Sequence, residues 1–276
     1  MANVEIKGEA RITPFRKIAL GTWQDAYDPS IYGTLRLRME PSLEYIERFR
    51  AKHGKKLTLT HLVCKAVGIA LKECPEANSL LRFNRIYQRK HVDLSVLVLM
   101  EDEGKKDLSA AKIDRIDEKS LLEIVTELEE RAAKIRARKD AALENTRRSM
   151  GRMPNFLMNL LLKLIAFFAY TLNLNMKWAG IPKDPFGGAV VTSIGSIGLD
   201  IGYVPLVPYT RVPIFVAPGR LEEAAVVQDG EVVPGHMMNI NATFDHRIID
   251  GAHAAELAST LRRVFADPFG NFDPLD

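Results

Sequence analysis

The stretch Ala242-Thr243-Phe244-Asp245-His246-Arg247-Ile248-Ile249-Asp250-Gly251 gathers residue types that move protons. A histidine delivered to the end of a strand can meet a substrate, and a neutral imidazole near pH 7 takes a proton from a thiol or a hydroxyl. Asp250 follows four residues later, and Gly251 stands where the next helix would begin. Spacing alone also fits a structural histidine in a turn bracketed by acids, and the order of residue types is what favours chemistry. Metal chemistry is not expected. Cys64 and Cys74 lie ten residues apart with no CxxC pair, and the six histidines are scattered with no HExxH. That usage implies a reducing compartment and neither a disulfide framework nor a structural metal.

The elements that must carry this histidine follow from periodicity. Residues 237–244 read as the strand that ends at it, and 251–266 as the closing helix, with Ala255, Leu257, Ala258, Leu261 and Val264 inward. Upstream, 31–39 alternates as a half-buried strand. Pro41 opens a helix that Gly54 stops, and a largely buried helix over 58–73 ends before Pro75. Residues 92–100 form an apolar run that fits an interior strand, followed by a charged turn over 101–107 and a long charged helix over 121–145. Further strands are expected in 187–201, 212–216 and 231–233, with Pro205, Pro208, Pro213 and Pro218 confining pairing to short stretches. Helices and strands interspersed in this way argue for one mixed sheet, an α/β (α+β) chain of a single domain over 1–276.

Composition agrees. With 276 residues, 47% hydrophobic and 26% charged, the chain can bury a substantial core and is neither disordered nor a miniprotein. A net charge of +3 does not suggest nucleic acid, and the local basic run has no interleaved aromatics. Residues 1–7 lack the apolar run of a secretory signal, so the expected location is cytoplasmic.

Residues 156–174 stand apart, with fifteen apolar positions in nineteen. As one helix they would be about 28 Å long, close to a bilayer core. Lys163 near the middle argues against spanning, as does the placing of a single such segment inside a globular chain. Two readings compete: a helix packed on protein, and an interfacial helix making peripheral membrane contact. Between Arg131 and Arg152 eight Lys or Arg face two Asp or Glu, a surplus that anionic lipid would attract.

The decapeptide closely resembles the DHRxxDG signature of the acyltransferase component of 2-oxo acid dehydrogenase complexes, whose catalytic domain shares the chloramphenicol acetyltransferase fold, a mixed-sheet sandwich. The likeness extends over most of 11–268. Phe15-Arg16-Lys17-Ile18-Ala19 is similar to the family's RKxxA opening, residues 57–75 to its LTxxxxxxKAxxxAL helix, and 119–130 to its KSLxEIxxELxE helix. Val191-Thr192-Ser193-Ile194-Gly195 resembles its TISxxG strand and turn. The resemblance implies that His246 is the general base that deprotonates the thiol of coenzyme A or dihydrolipoamide. It implies that Thr192, or Ser193 if the register is off by one, hydrogen-bonds the oxyanion. Asp250 would shape the histidine loop, with Arg16 as its ion-pair partner, and Gly251 would permit a tight strand-to-helix passage. A homotrimer is implied, with the site in a channel between subunits, and no coenzyme-binding residues are assigned.

The departures set further expectations. No lipoyl or peripheral-subunit-binding domain precedes the resemblance, so a lipoyl carrier protein must come from elsewhere. Glu101-Asp102-Glu103-Gly104-Lys105-Lys106-Asp107 replaces the family's PRGLxxP, and residues 147–185 form an apolar helical insertion where the family has a short polar link. Residues 267–276 lack the Leu-rich end that joins trimers into larger cores, so a free trimer is expected. The leading reading is a free-standing acyltransferase working between coenzyme A and a thiol acceptor. The alternatives are an acyl-CoA-dependent transferase for a small-molecule or lipid-linked acceptor, and a non-catalytic trimeric scaffold or membrane-surface adaptor.

Overall fold

The computed structural model describes residues 2–10, 28–102, 105–139, 144 and 154–275. Arg16, its RKxxA segment and the basic residues Arg147, Arg148 and Arg152 lie outside the described residues. Among the described residues nine strands form two sheets. The larger has the order β2 (Ser30–Arg38), β9 (Glu231–Asp245), β8 (Ile214–Gln228), β7 (Ala189–Val191), β5 (Leu94–Asp102) and β6 (Lys105–Ile113). It is mixed: β5, β7 and β8 run parallel, and the other pairs are antiparallel. A smaller sheet has the order β1 (Ile6–Glu9), β4 (Arg85–Arg89) and β3 (Ser79–Arg82).

One face of the large sheet carries the main core against α1 (Glu40–His53), α2 (Leu59–Glu73), α3 (Leu121–Arg136) and α5 (Gly251–Ala266). The apolar stripes drive this. Leu62, Val63, Ala66, Val67 and Leu71 of α2 are buried, as are Leu257, Leu261 and Val264 of α5. Gly54 closes α1 in the left-handed conformation at φ 62°, which favours glycine. Lys65, the lysine of the family-like KA pair, buries its stem and donates to the carbonyls of Asp117 at 2.9 Å and Lys119 at 2.6 Å. It therefore fixes the loop that enters α3.

Several expectations need correction. The segments 231–233 and 237–244 are one 15-residue strand, and β8 is equally long. Pro218 sits at a register shift in β8, and Pro234 lies where β9 has β8 as its only strand neighbour, both places that tolerate a missing N–H. The charged turn expected over 101–107 is shorter, because β5 runs to Asp102 and β6 starts at Lys105. Helix α3 ends at Arg136, where the apolar stripe runs out after Ile135. The apolar run over 156–174 divides into a 12-residue α4 (Asn155–Ala166) and a π turn, Phe167–Thr171. Among the described residues no helix is long and apolar enough to cross a membrane.

The start of α2 gives a pH-dependent prediction. Thr58 N–H donates to Nδ1 of His61 at 3.1 Å, closing a capping box that needs an uncharged ring. Burial holds the His61 pKa down to about 4 from 6.5, against a smaller opposing pull from the Glu129 carboxylate. As pH falls from 6.5 towards 4, the unfolded chain takes a proton that the folded chain refuses, so stability is lost by up to about 3 kcal/mol. His61→Gln keeps the cap without the titration. Its unfolding free energy should stay flatter between pH 6.5 and 4 than that of the parent; equal slopes in urea titrations would refute this assignment.

Candidate active site

Strand β9 delivers His246 as expected. The Asp245 N–H donates to the Pro213 carbonyl at 2.9 Å and the His246 N–H to the Pro29 carbonyl at 2.9 Å, so the strand end is pinned from both sides. The turn that follows is anchored by Ile248 and Ile249, both buried, with the amides of 248 and 249 donating to the Asp245 carbonyl. The half-buried imidazole places Nδ1 2.9 Å from the Ile249 carbonyl oxygen. A carbonyl can only accept, so the proton sits on Nδ1 and Nε2 is the ring's basic nitrogen. Asp245 grips Arg247 through two guanidinium contacts, of 2.9 and 2.7 Å, which holds this loop without involving the imidazole.

Asp250 is the N-cap of α5. Its Oδ1 accepts from the amides of Ala252 at 3.0 Å and His253 at 3.2 Å, and His253 Nδ1 lies 2.8 Å from the same oxygen. It therefore fixes the helix start four residues past His246 by capping; its expected partner Arg16 is not among the described residues. Gly251 does not play the part expected of it within the chain. It begins α5 without a left-handed φ, and a β-carbon there would meet nothing within 4 Å. The Asp250 cap, with extended backbone at φ −102°, makes the passage instead.

Thr192 and Ser193 follow β7. The Thr192 amide donates to the Val216 carbonyl at 2.9 Å and the Ile194 amide to that of Pro218 at 3.1 Å, which extends the ladder past the strand. Buried Ile194 anchors the turn, and both hydroxyl residues are half-buried. Gly195 is required here: a β-carbon would lie 2.4 Å from the Gly219 carbonyl oxygen, so two backbones meet without room for a side chain.

The registers show where these groups stand. Val191 pairs with Val216, and Val216 with Ala242. Thr192 therefore lies level with Asn241 and Ala242, a few residues inside β8, whereas His246 lies four to five residues further along β9, just ahead of the start of β8 and beside Pro213. At ~3.3 Å per residue and ~4.8 Å per strand, the two are separated by on the order of 15 Å along the strands and about 10 Å across them. One copy of the chain cannot place both on the same reacting carbon. His246 and Asp250 stand at the two ends of one short turn, the first against the Ile249 carbonyl and the second capping α5; Thr192 and Ser193 are not brought to them.

Sequence reasoning missed the polar chain beside Thr192. Asn241, fully buried, donates to the carbonyls of Asp200 at 3.2 Å and Ala217 at 3.1 Å and accepts from Thr34 at 2.8 Å. The Thr34 hydroxyl also lies 2.6 Å from that of Tyr203. Asn241 shares the polar face of β9 with Asn239 and Thr243, opposite the core-facing Met238 and Ile240, so the alternation gave no sign that it is buried.

A family model described as 2-oxoacid dehydrogenases acyltransferase (catalytic domain) matches residues 7–149 and 183–271, well over half of the chain. The acetyltransferase component of the Bacillus subtilis pyruvate dehydrogenase complex is 27% identical over 220 residues, covering 79% of this chain and 40% of that protein. The corresponding component of the B. subtilis acetoin cleaving system is 24% identical over 272 residues, covering 94% and 56%. The chain thus spans about half the length of these relatives, or less. Among solved structures, the Azotobacter vinelandii dihydrolipoamide acetyltransferase superposes with a TM-score of 0.64 at 22% identity, covering 96% of this chain and 95% of that one. The cubic core of a pyruvate dehydrogenase complex gives 0.64 at 21%, with the same coverage. These likenesses establish the mixed α/β fold.

Proposed function

Because the chain belongs to the 2-oxoacid dehydrogenases acyltransferase catalytic-domain family, we propose that it moves an acyl group between coenzyme A and a thiol of dihydrolipoamide type. Nε2 of His246 takes the thiol proton, and the sulfur attacks the carbonyl carbon of the partner thioester. The oxyanion of the tetrahedral intermediate accepts a hydrogen bond from Thr192, with Ser193 as the neighbouring alternative donor. Collapse breaks the original carbon–sulfur bond, and the departing thiolate recovers the proton from Nε2. The observation that carries this reading is the Nδ1 contact with the Ile249 carbonyl, which makes Nε2 the base. Since His246 and Thr192 stand two strands and four to five residues apart in one copy, the working site joins two copies, and a homotrimer with the channel at its subunit boundaries meets that need.

The finer reading is a free trimer in the cytoplasm, served by a lipoyl carrier protein and using no metal. Purified chain should release free thiol from acetyl-coenzyme A when dihydrolipoamide is supplied, at a rate that saturates in both; release at the uncatalysed rate with thiol, amine and alcohol acceptors alike would sink the transferase reading. One observation favours a lipid-linked acceptor and membrane contact through 156–174. The outer face of this segment exposes Phe156 at 81% and Leu160 at 55%, and Trp178 beyond it is exposed at 83%. The same preparation should float with anionic vesicles and not with neutral ones. Recovery wholly in the unbound fraction would remove this reading and leave the thiol transfer standing.

A further inference from the structure

A cleft of about 1190 Å³ lies away from the candidate active site: none of His246, Asp250, Thr192 and Ser193 lines it. One wall is the inner side of α4 and its π turn, with Leu162, Ile165 and Ala169. These residues fall between the two stretches that the family model matches, so this wall lies outside the matched sequence. The facing wall is β6, at the edge of the large sheet, with Leu108 and Ala110. The volume is at or above the ~300–1,000 Å³ of ordinary small-molecule sites.

The polar residues lining this cleft carry hydrogen-bonding groups that no other described residue satisfies. Arg89, 5% exposed, pairs with Asp184 through Nη1, but its Nε and Nη2 have no partner among the described residues. The hydroxyls of Tyr170, 2% exposed, and Ser109, 7% exposed, have none either. Each such group costs about 1–3 kcal/mol when buried and unmet, and several in one place mark a site where something else supplies acceptors. The sign of that partner follows from the lining: six Lys or Arg stand against four Asp or Glu. The Asp184 carboxylate pairs with Arg89 through Oδ2 and leaves its buried Oδ1 unmet among the described residues, with Lys112 and Lys183 flanking it.

We propose that the cleft between α4 and β6 is a second ligand site, for a single-chain amphiphile whose carboxylate meets Arg89 and Tyr170 and whose hydrocarbon chain lies between Leu162, Ile165 and Leu108. A carboxylate offers acceptors to guanidinium and hydroxyl donors together, and the aliphatic walls remove the chain from water.

Dodecanoate is the probe, with binding to the full chain followed by calorimetry. One molecule should bind per chain, saturably, and dodecanol and dodecyltrimethylammonium should bind at least about tenfold more weakly. Leu162→Trp, which fills the cleft from α4, should weaken dodecanoate about tenfold or more. Ala110→Leu, acting from the opposite wall, should do the same and serves if the first variant does not fold. His246→Ala should bind as the parent does, which separates this site from the transfer reading. The proposal fails if dodecanoate does not saturate, if the cationic amphiphile binds equally well, if neither wall variant alters binding, or if coenzyme A displaces the probe competitively.

Discussion

His246→Ala should lower thiol transfer from acetyl-coenzyme A by about a thousandfold or more while leaving the thermal midpoint and assembly state of the parent. General-base catalysis by a placed imidazole contributes about 10² to 10⁴ in rate, and the alanine variant loses both the base and its aim. The fold should not follow. The backbone of this turn is held by the Pro29 and Pro213 contacts, by buried Ile248 and Ile249 and by the Asp245–Arg247 fork, none of which needs the ring. His246→Asn is the sharper variant, because its amide can still donate to the Ile249 carbonyl yet cannot accept a thiol proton at neutral pH. Equal loss in both variants identifies proton transfer as the missing step. Unchanged turnover in either would leave the imidazole as a structural member of the turn and favour the scaffold reading.

How much of this was legible in the residues depended on how local the cause was. The helices α1, α2 and α5 declared themselves through apolar spacing and end signals, because burial of one stripe is a local pattern. The small sheet did not, since β1 and β4 are short and largely polar and pair across more than seventy residues of sequence. Strand β6 was hidden for another reason: Lys105, Lys106 and Asp107 read as turn residues, and only pairing with β5 makes them extended. His246 and Asp250 are close in sequence, so their constellation was visible; the capping of α5 by Asp250 gives it a physical basis. The role of Thr192 came from resemblance alone. Its distance from His246 is a property of strand order, which no spacing along the chain encodes. Nor could residue patterns reveal that Arg89 and Tyr170, about eighty positions apart, line one cleft beneath α4.

That strand order makes the largest qualitative prediction. Thr192→Val removes the hydroxyl at nearly constant volume and should cost about 10² to 10³ in turnover, the loss expected for one oxyanion donor. His246→Ala carries an intact Thr192, and Thr192→Val carries an intact His246. If each site draws its base from one copy and its hydroxyl from the next, two inactive proteins contain between them one complete set. In a ring of three with random 1:1 mixing, each boundary pairs an intact base with an intact hydroxyl about a quarter of the time. Co-expressed variants carrying different tags, purified through both, should therefore recover activity on the order of a quarter of the parent or more, far above either variant alone. A site completed within a single chain cannot be rescued in this way, because every copy then lacks one group. Mixed assemblies no more active than the sum of their separate components would refute the shared site, and with it the reading that places Thr192 opposite His246.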